Sequence, residues 1–176
     1  RIAVLTAGWN REFLNFMMQG ICQRAAKDQA DVYLFNCYGD QDDSNPFNIG
    51  EYNLFHLPDL SKFSGIILFS NNISSVSVKD LLCEKILESK VCAISVEYEI
   101  EGMDYIGIDN YSALSEMVEH LITHHHYKDL HFIGGPENNY EASERKRAFI
   151  ETLEHHKIQV QDDMITYTNF SHDEAY

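Results

Sequence analysis

Short apolar runs alternate with longer helical patterns along this chain. Residues 2–5 (IAVL) are apolar without interruption, and over residues 12–29 apolar or small positions recur three and four apart at Phe13, Phe16, Met17, Gly20, Ile21 and Ala25. A run apolar at every position suits a strand covered on both faces, whereas three-and-four spacing lays one stripe of a helix against it. The same reading predicts strands over 31–37, 65–69, 91–96, 105–108 and 130–133. It predicts helices over 78–87, over 111–124 with Leu114, Met117, Val118, Leu121 and Ile122 inward, and over 141–156 with Ala142, Ala148, Phe149 and Leu153 inward. Residues 38–50 read as a polar, turn-rich loop, and 51–57 as a short helical turn stopped by Pro58.

Strands apolar on both faces with helices between them bury themselves only as a parallel sheet covered on both sides. The predicted fold class is therefore α/β, a doubly wound parallel sheet. Such sheets hold ligands beyond the carboxyl ends of their strands. That directs attention to residues 6–10, 37–40, 70–73, 97–98, 109–110 and 134–138, which are polar and aromatic, with several amides.

Composition narrows the function. With 13 Lys and Arg against 28 Asp and Glu, the formal charge is −15, which disfavours a phosphate-gripping surface or adhesion to anionic membranes. No apolar run approaches the roughly 20 residues of a membrane span, and no leader pattern precedes the first strand; a cytoplasmic location is expected. Cys22, Cys37, Cys83 and Cys92 lie in apolar runs without CxxC spacing and read as reduced core residues. A dinucleotide enzyme would need G-x-G-x-x-G after the first strand, where Thr6-Ala7-Gly8-Trp9-Asn10 stands instead. Neither a G-x-S-x-G elbow nor a P-loop occurs. A phosphoacceptor receiver fails as well, because Thr6-Ala7 and Ser70-Asn71 occupy its acidic positions. The expectation is a chain without catalysis and without a cofactor.

The order of runs resembles the ligand-sensing domain of the lac-repressor and galactose-repressor family, of periplasmic-binding-protein type 1 fold, along nearly the whole chain. The specific stretches are YIGIDNYSALSEMVEHLI, similar to that family's crossover into its second lobe, and DLHFIGGPENNYEASERKRAFIETL, similar to the strand, Gly-Pro loop and R-x-x-G-F helix that follow. SGIILFS resembles the DGIIL strand with Ser64 in place of Asp, and Ala148 stands where the family has Gly. The resemblance implies a first lobe over 1–110 and the beginning of a second, incomplete in this chain, over 111–176. It further implies a small-molecule effector held between lobes, a homodimer, and DNA contact only through a separate domain absent here. The stretch FNIGEYNLFHLPDLSKFSGIIL resembles sensory domains attached to diguanylate cyclases, which is the alternative output.

The resemblance makes Arg145 the sharpest ligand candidate; the plainer reading is a solvated charge beside Glu144, Lys146 and Arg147. If held for a ligand alone, Arg145→Ala should weaken binding and hardly move the melting temperature. Trp9 and Asn10 pair a flat aromatic with an amide, which suits a sugar or nucleoside, and Phe13 either joins them or staples the helix to the sheet. Glu97 ends the fourth strand, where the resemblance implies a polar ligand contact, with an acidic surface patch including Glu99 and Glu101 as the alternative. Asp109 reads as a helix cap. His120 and His124 have i, i+4 spacing, but no third ligand is evident in the sequence, so no metal site is predicted. Asp40, Asp42 and Asp43 read as a solvated turn. Phe47, Phe55 and Phe63 are the apolar candidates for self-association.

Overall fold

The computed structural model describes residues 1–8, 12–38, 46–73, 75–137, 139–168 and 170, save the side chains of residues 48 and 49. The chain divides into two compact units, Arg1–Gly107 and Ile108–Tyr176. No helix among the described residues is long and apolar enough to cross a membrane.

In the first unit, β1 (Ile2–Ala7), β2 (Val32–Cys37), β3 (Gly65–Leu68), β4 (Ala93–Val96) and β5 (Asp104–Ile106) form one parallel sheet in the order β2-β1-β3-β4-β5. Central β1 shows why both sheet faces must be covered. Its side chains alternate, so Ala3, Leu5 and Ala7 join Ile66 and Leu68 on one face, while Val4 joins Phe69 and Val96 on the other. The first face is closed by Leu82 and Ile86 of α3 (Val76–Glu88) and by Tyr52, Phe55 and Leu60. The second is closed by Leu14, Met17, Met18 and Ile21 of α1 (Glu12–Lys27). Each fully buried Leu, Ile or Phe contributes about 1.5–3 kcal/mol. This is the predicted doubly wound sheet.

Several expectations shift. The buried stripe of α1 runs through Leu14 and Ala25, so Phe16 is 64% exposed and Phe13 is also outward. The three-and-four rule permits either stripe, and the branched chains facing β1 set the rotation. Within the span read as loop, α2 (Pro46–Glu51) is helical and runs into a 3-10 turn, Tyr52–His56. Its proline sits at the first helical position, where a missing N–H is tolerated. That turn buries Phe55, and Phe63 packs edge-on against Tyr33 and Phe35, leaving Phe47 as the outward member of the three. All four cysteines are free, yet only Cys37 is buried; Cys22 and Cys92 are exposed and Cys83 is intermediate.

In the second unit, α4 (Asn110–Thr123) and α5 (Tyr140–His155) pack on a two-stranded parallel sheet of β6 (Phe132–Gly134) and β7 (Ile165–Tyr167). Val118, Phe149 and Leu153 form the core, and Phe132 stacks on Phe149 with ring centroids 5.4 Å apart. Met117 is exposed, one position off the buried stripe of α4. Asp109 caps α4, its Oδ1 accepting from the Ser112 N–H at 2.9 Å, and Asn139 caps α5 through the Ala142 N–H.

Candidate functional site

The strand order of the first unit places its topological switch between β1 and β3, the position at which open sheets of this kind form ligand crevices. The groups there are polar and fixed. The Asn72 amide donates to Thr6 Oγ1 at 3.2 Å, and the Asn36 amide donates to the Gly8 carbonyl at 3.1 Å. Gly8 has φ 111°, open to glycine and strained for other residues. Ser95 Oγ donates to the Tyr98 carbonyl at 2.6 Å, so in the 3.1 Å pair between Ser70 and Ser95 it is Ser70 that donates. Asn36 Oδ1 is buried and has no hydrogen-bond partner among the described residues.

Glu97 follows β4 in the left-handed region, at φ 67°, with its N–H bonded to the Ile106 carbonyl at 2.9 Å. Gln29, Lys90, His126 and Lys157 also have positive φ, each just past a helix end, where that conformation closes the last turn, and Phe170 has it after β7. Glu97 sits between strands. Phe13, the second residue of α1, is 40% exposed and so does not staple that helix to the sheet. Trp9 and Asn10 lie outside the described residues, as do Asp40, Asp42 and Asp43.

In the second unit Arg145 is set apart from its basic neighbours. Arg147 forks onto Glu144, which holds its guanidinium above its ordinary value, and it lies 4.2 Å over the Tyr111 ring. Lys146 donates to the Tyr167 hydroxyl. Arg145 instead donates through Nε to Asn110 Oδ1 at 2.6 Å and through Nη2 to Glu141 Oε2 at 3.1 Å. The Glu141 side chain is 5% exposed and that of Arg145 is 37% exposed, so the carboxylate lies behind the guanidinium. Glu141 Oε1 is buried and unpartnered among the described residues. A pair half-desolvated and half-satisfied stabilises a fold poorly. It does fix a planar fork at the surface with three of its five N–H donors free for a ligand, a geometry suited to adjacent hydroxyl or carboxylate oxygens. The family resemblance pointed to Arg145 but not to its two holders. Glu141 at i−4 could have been suspected from helix geometry, whereas Asn110 lies 35 residues away.

The histidines depart from expectation. α4 ends at Thr123, His124 N–H bonds the His120 carbonyl at 2.9 Å, and the chain turns back through His126 at φ 59°. His125 directly follows the C-cap of α4, and one ring nitrogen from each of His120, His124 and His125 lies within 4.8 Å of the others. His125, one residue past the C-cap of α4, is thus a third imidazole within reach of the i, i+4 pair, at a position that helical periodicity does not reveal.

The sheet order, the parallel register and the flanking helices define a doubly wound α/β fold, and solved structures of transcriptional regulators and of a periplasmic solute binding protein share it. A LacI family transcriptional regulator from Mycobacterium smegmatis matches 98% of this chain over 58% of its own, at TM-score 0.71 and 19% identity. An ABC transporter periplasmic solute binding protein from Actinobacillus succinogenes with bound D-allose matches 99% over 60%, at TM-score 0.72 and 14% identity. A LacI family regulator CCPA from Weissella paramesenteroides with bound glucose matches 94% over 57%, at TM-score 0.69 and 15% identity. The chain therefore spans about three fifths of the length of these proteins. No protein-family model and no curated protein sequence matches it.

Proposed function

We propose that this chain is the effector-sensing part of a regulatory protein and binds a small polar, sugar-like molecule, with Arg145 as the main charge-assisted contact. The observation that carries the reading is the exposed guanidinium fork held by buried Glu141 and by Asn110. Glu97, Phe13 and the switch-point amides of the first unit are the further ligand-binding candidates, and Trp9 and Asn10 remain proposed on sequence grounds. Support for a sugar comes from the bound D-allose and glucose of the structural neighbours. The proposed output is transcriptional, of lac-repressor type, through a DNA-binding domain outside these residues. The regulators among the neighbours support that output, and none of those named here supports a diguanylate cyclase. The reading is non-catalytic and cytoplasmic. Self-association is proposed through the first unit, where Phe16 on α1 and Phe47, 85% exposed, are the outward aromatics in place of Phe55 and Phe63.

The test is a thermal-shift panel of monosaccharides, disaccharides, nucleosides and amino acids. A ligand that binds only the folded state raises the melting temperature with concentration, by about 2.7 kcal/mol of stability at one hundred times Kd. A saturable rise with a sugar supports the proposal. A rise confined to apolar compounds, or none across the panel, refutes it.

A further inference from the structure

We infer that His120, His124 and His125 form a binding site for one divalent transition-metal ion of the zinc or nickel kind. His120 and His124 stand one turn apart on α4, and their rings stack with centroids 4.8 Å apart and planes 20° apart. The His125 ring meets both edge-on, at 5.0 Å in each case, and lies flat against Tyr127 at 5.4 Å. All three side chains are exposed, so no packed wall opposes the closing of the rings on an ion. Ligand nitrogens on one tetrahedral zinc lie about 3.3 Å apart, given zinc–nitrogen bonds of roughly 2.0–2.1 Å. Small rotations about the side-chain bonds cover the difference from 4.8 Å.

Three imidazoles without a thiolate select borderline ions such as zinc, nickel and copper over magnesium or calcium, which require oxygen ligands. Position adds to ligand type. The last turn of α4 exposes carbonyl oxygens, and the partial negative charge there favours a cation. The ion would tie the last turn of α4 to the residue just past its C-cap, clipping a helix terminus that is otherwise held by backbone bonds from His124 and Tyr127. Binding would therefore be readable in the order of that turn. The site is remote in chemistry from Arg145 and does not depend on the ligand proposed above.

The test is calorimetric titration of the untagged chain with zinc chloride and nickel chloride, with histidine ring resonances followed in parallel. The expected result is one ion per chain, with the ring signals of His120, His124 and His125 shifted by zinc. His120→Gln and His124→Gln should each weaken binding by more than the roughly tenfold that loss of an outer-shell partner costs. A His155→Gln/His156→Gln variant should leave it unchanged. The three rings are exposed, so far-UV circular dichroism should be alike in every variant. No saturable binding by the wild-type chain, or binding that survives His120→Gln and His124→Gln, overturns the site.

Discussion

Removing Arg145 should destabilise the second unit, and by an amount that depends on Glu141. With the guanidinium gone, a carboxylate whose side chain is 5% exposed loses its one ion-pair partner in a poorly solvated place, with Oε1 already unpartnered among the described residues. Breaking a fully buried pair from one side costs about 3–5 kcal/mol. Arg145 is 37% exposed, and water reaches the site once the side chain is cut back, so roughly half of that is expected, about 1.5–2.5 kcal/mol. In a Glu141→Gln background the residue behind is neutral, and Arg145→Ala should then cost about 1 kcal/mol or less, chiefly the hydrogen bond to Asn110. The coupling energy, at least about 0.5–1.5 kcal/mol as the difference of those two costs, is measured by urea unfolding of the four proteins of the cycle. Hydrogen exchange of α5 amides reports on the second unit itself. Equal costs of Arg145→Ala in both backgrounds, within about 0.3–0.5 kcal/mol, would refute the reasoning. The expectation from sequence that the melting temperature would hardly move is thus replaced, because a buried carboxylate stands behind the arginine.

Two further outcomes follow from the same geometry. The Ser112 N–H and hydroxyl hold the Asp109 carboxyl below its ordinary value, so the cap contributes stability above the usual carboxylate range and loses it as pH falls through the lowered folded value. Amide exchange at the start of α4 should therefore accelerate on acidification, and pH-independent exchange protection after correction for intrinsic rates would contradict it. Under a pulse of iodoacetamide, Cys22 and Cys92 should be alkylated first. Cys83, whose thiol is pushed up by burial and then by Asp80, should lag, with Cys37 last; mass spectrometry showing Cys37 modified as fast as Cys22 would contradict this order.

What sequence could show depended on how local its cause was. The sheet class was legible because runs such as IAVL and GIIL cannot be covered except by helices on both faces. The inward face of α5 was legible too, since Ala142, Ala148, Phe149 and Leu153 share one stripe and all are buried. The rotation of α1 was not, because Phe13 and Phe16 fit the same periodicity as Leu14 and Met18, and only the facing strands decide. β7 went unread because three residues, ITY, carry too little pattern to separate a strand from a loop. In the candidate site, Arg145 stood out, while Asn110 and the stranded Asn36 oxygen arise from contacts between distant segments. His125 was missed because it lies past the C-cap of α4, where i, i+4 spacing no longer says which side chains meet.

The central claim is that Arg145 is held for a ligand. Its most direct measurement is an equilibrium titration of wild type and Arg145→Ala with the best-binding sugar of the panel, at a temperature where both are folded. Loss of one charge-assisted contact should weaken binding by about 1.5–3 kcal/mol, roughly tenfold to a hundredfold. Unchanged affinity in the folded variant would contradict the account.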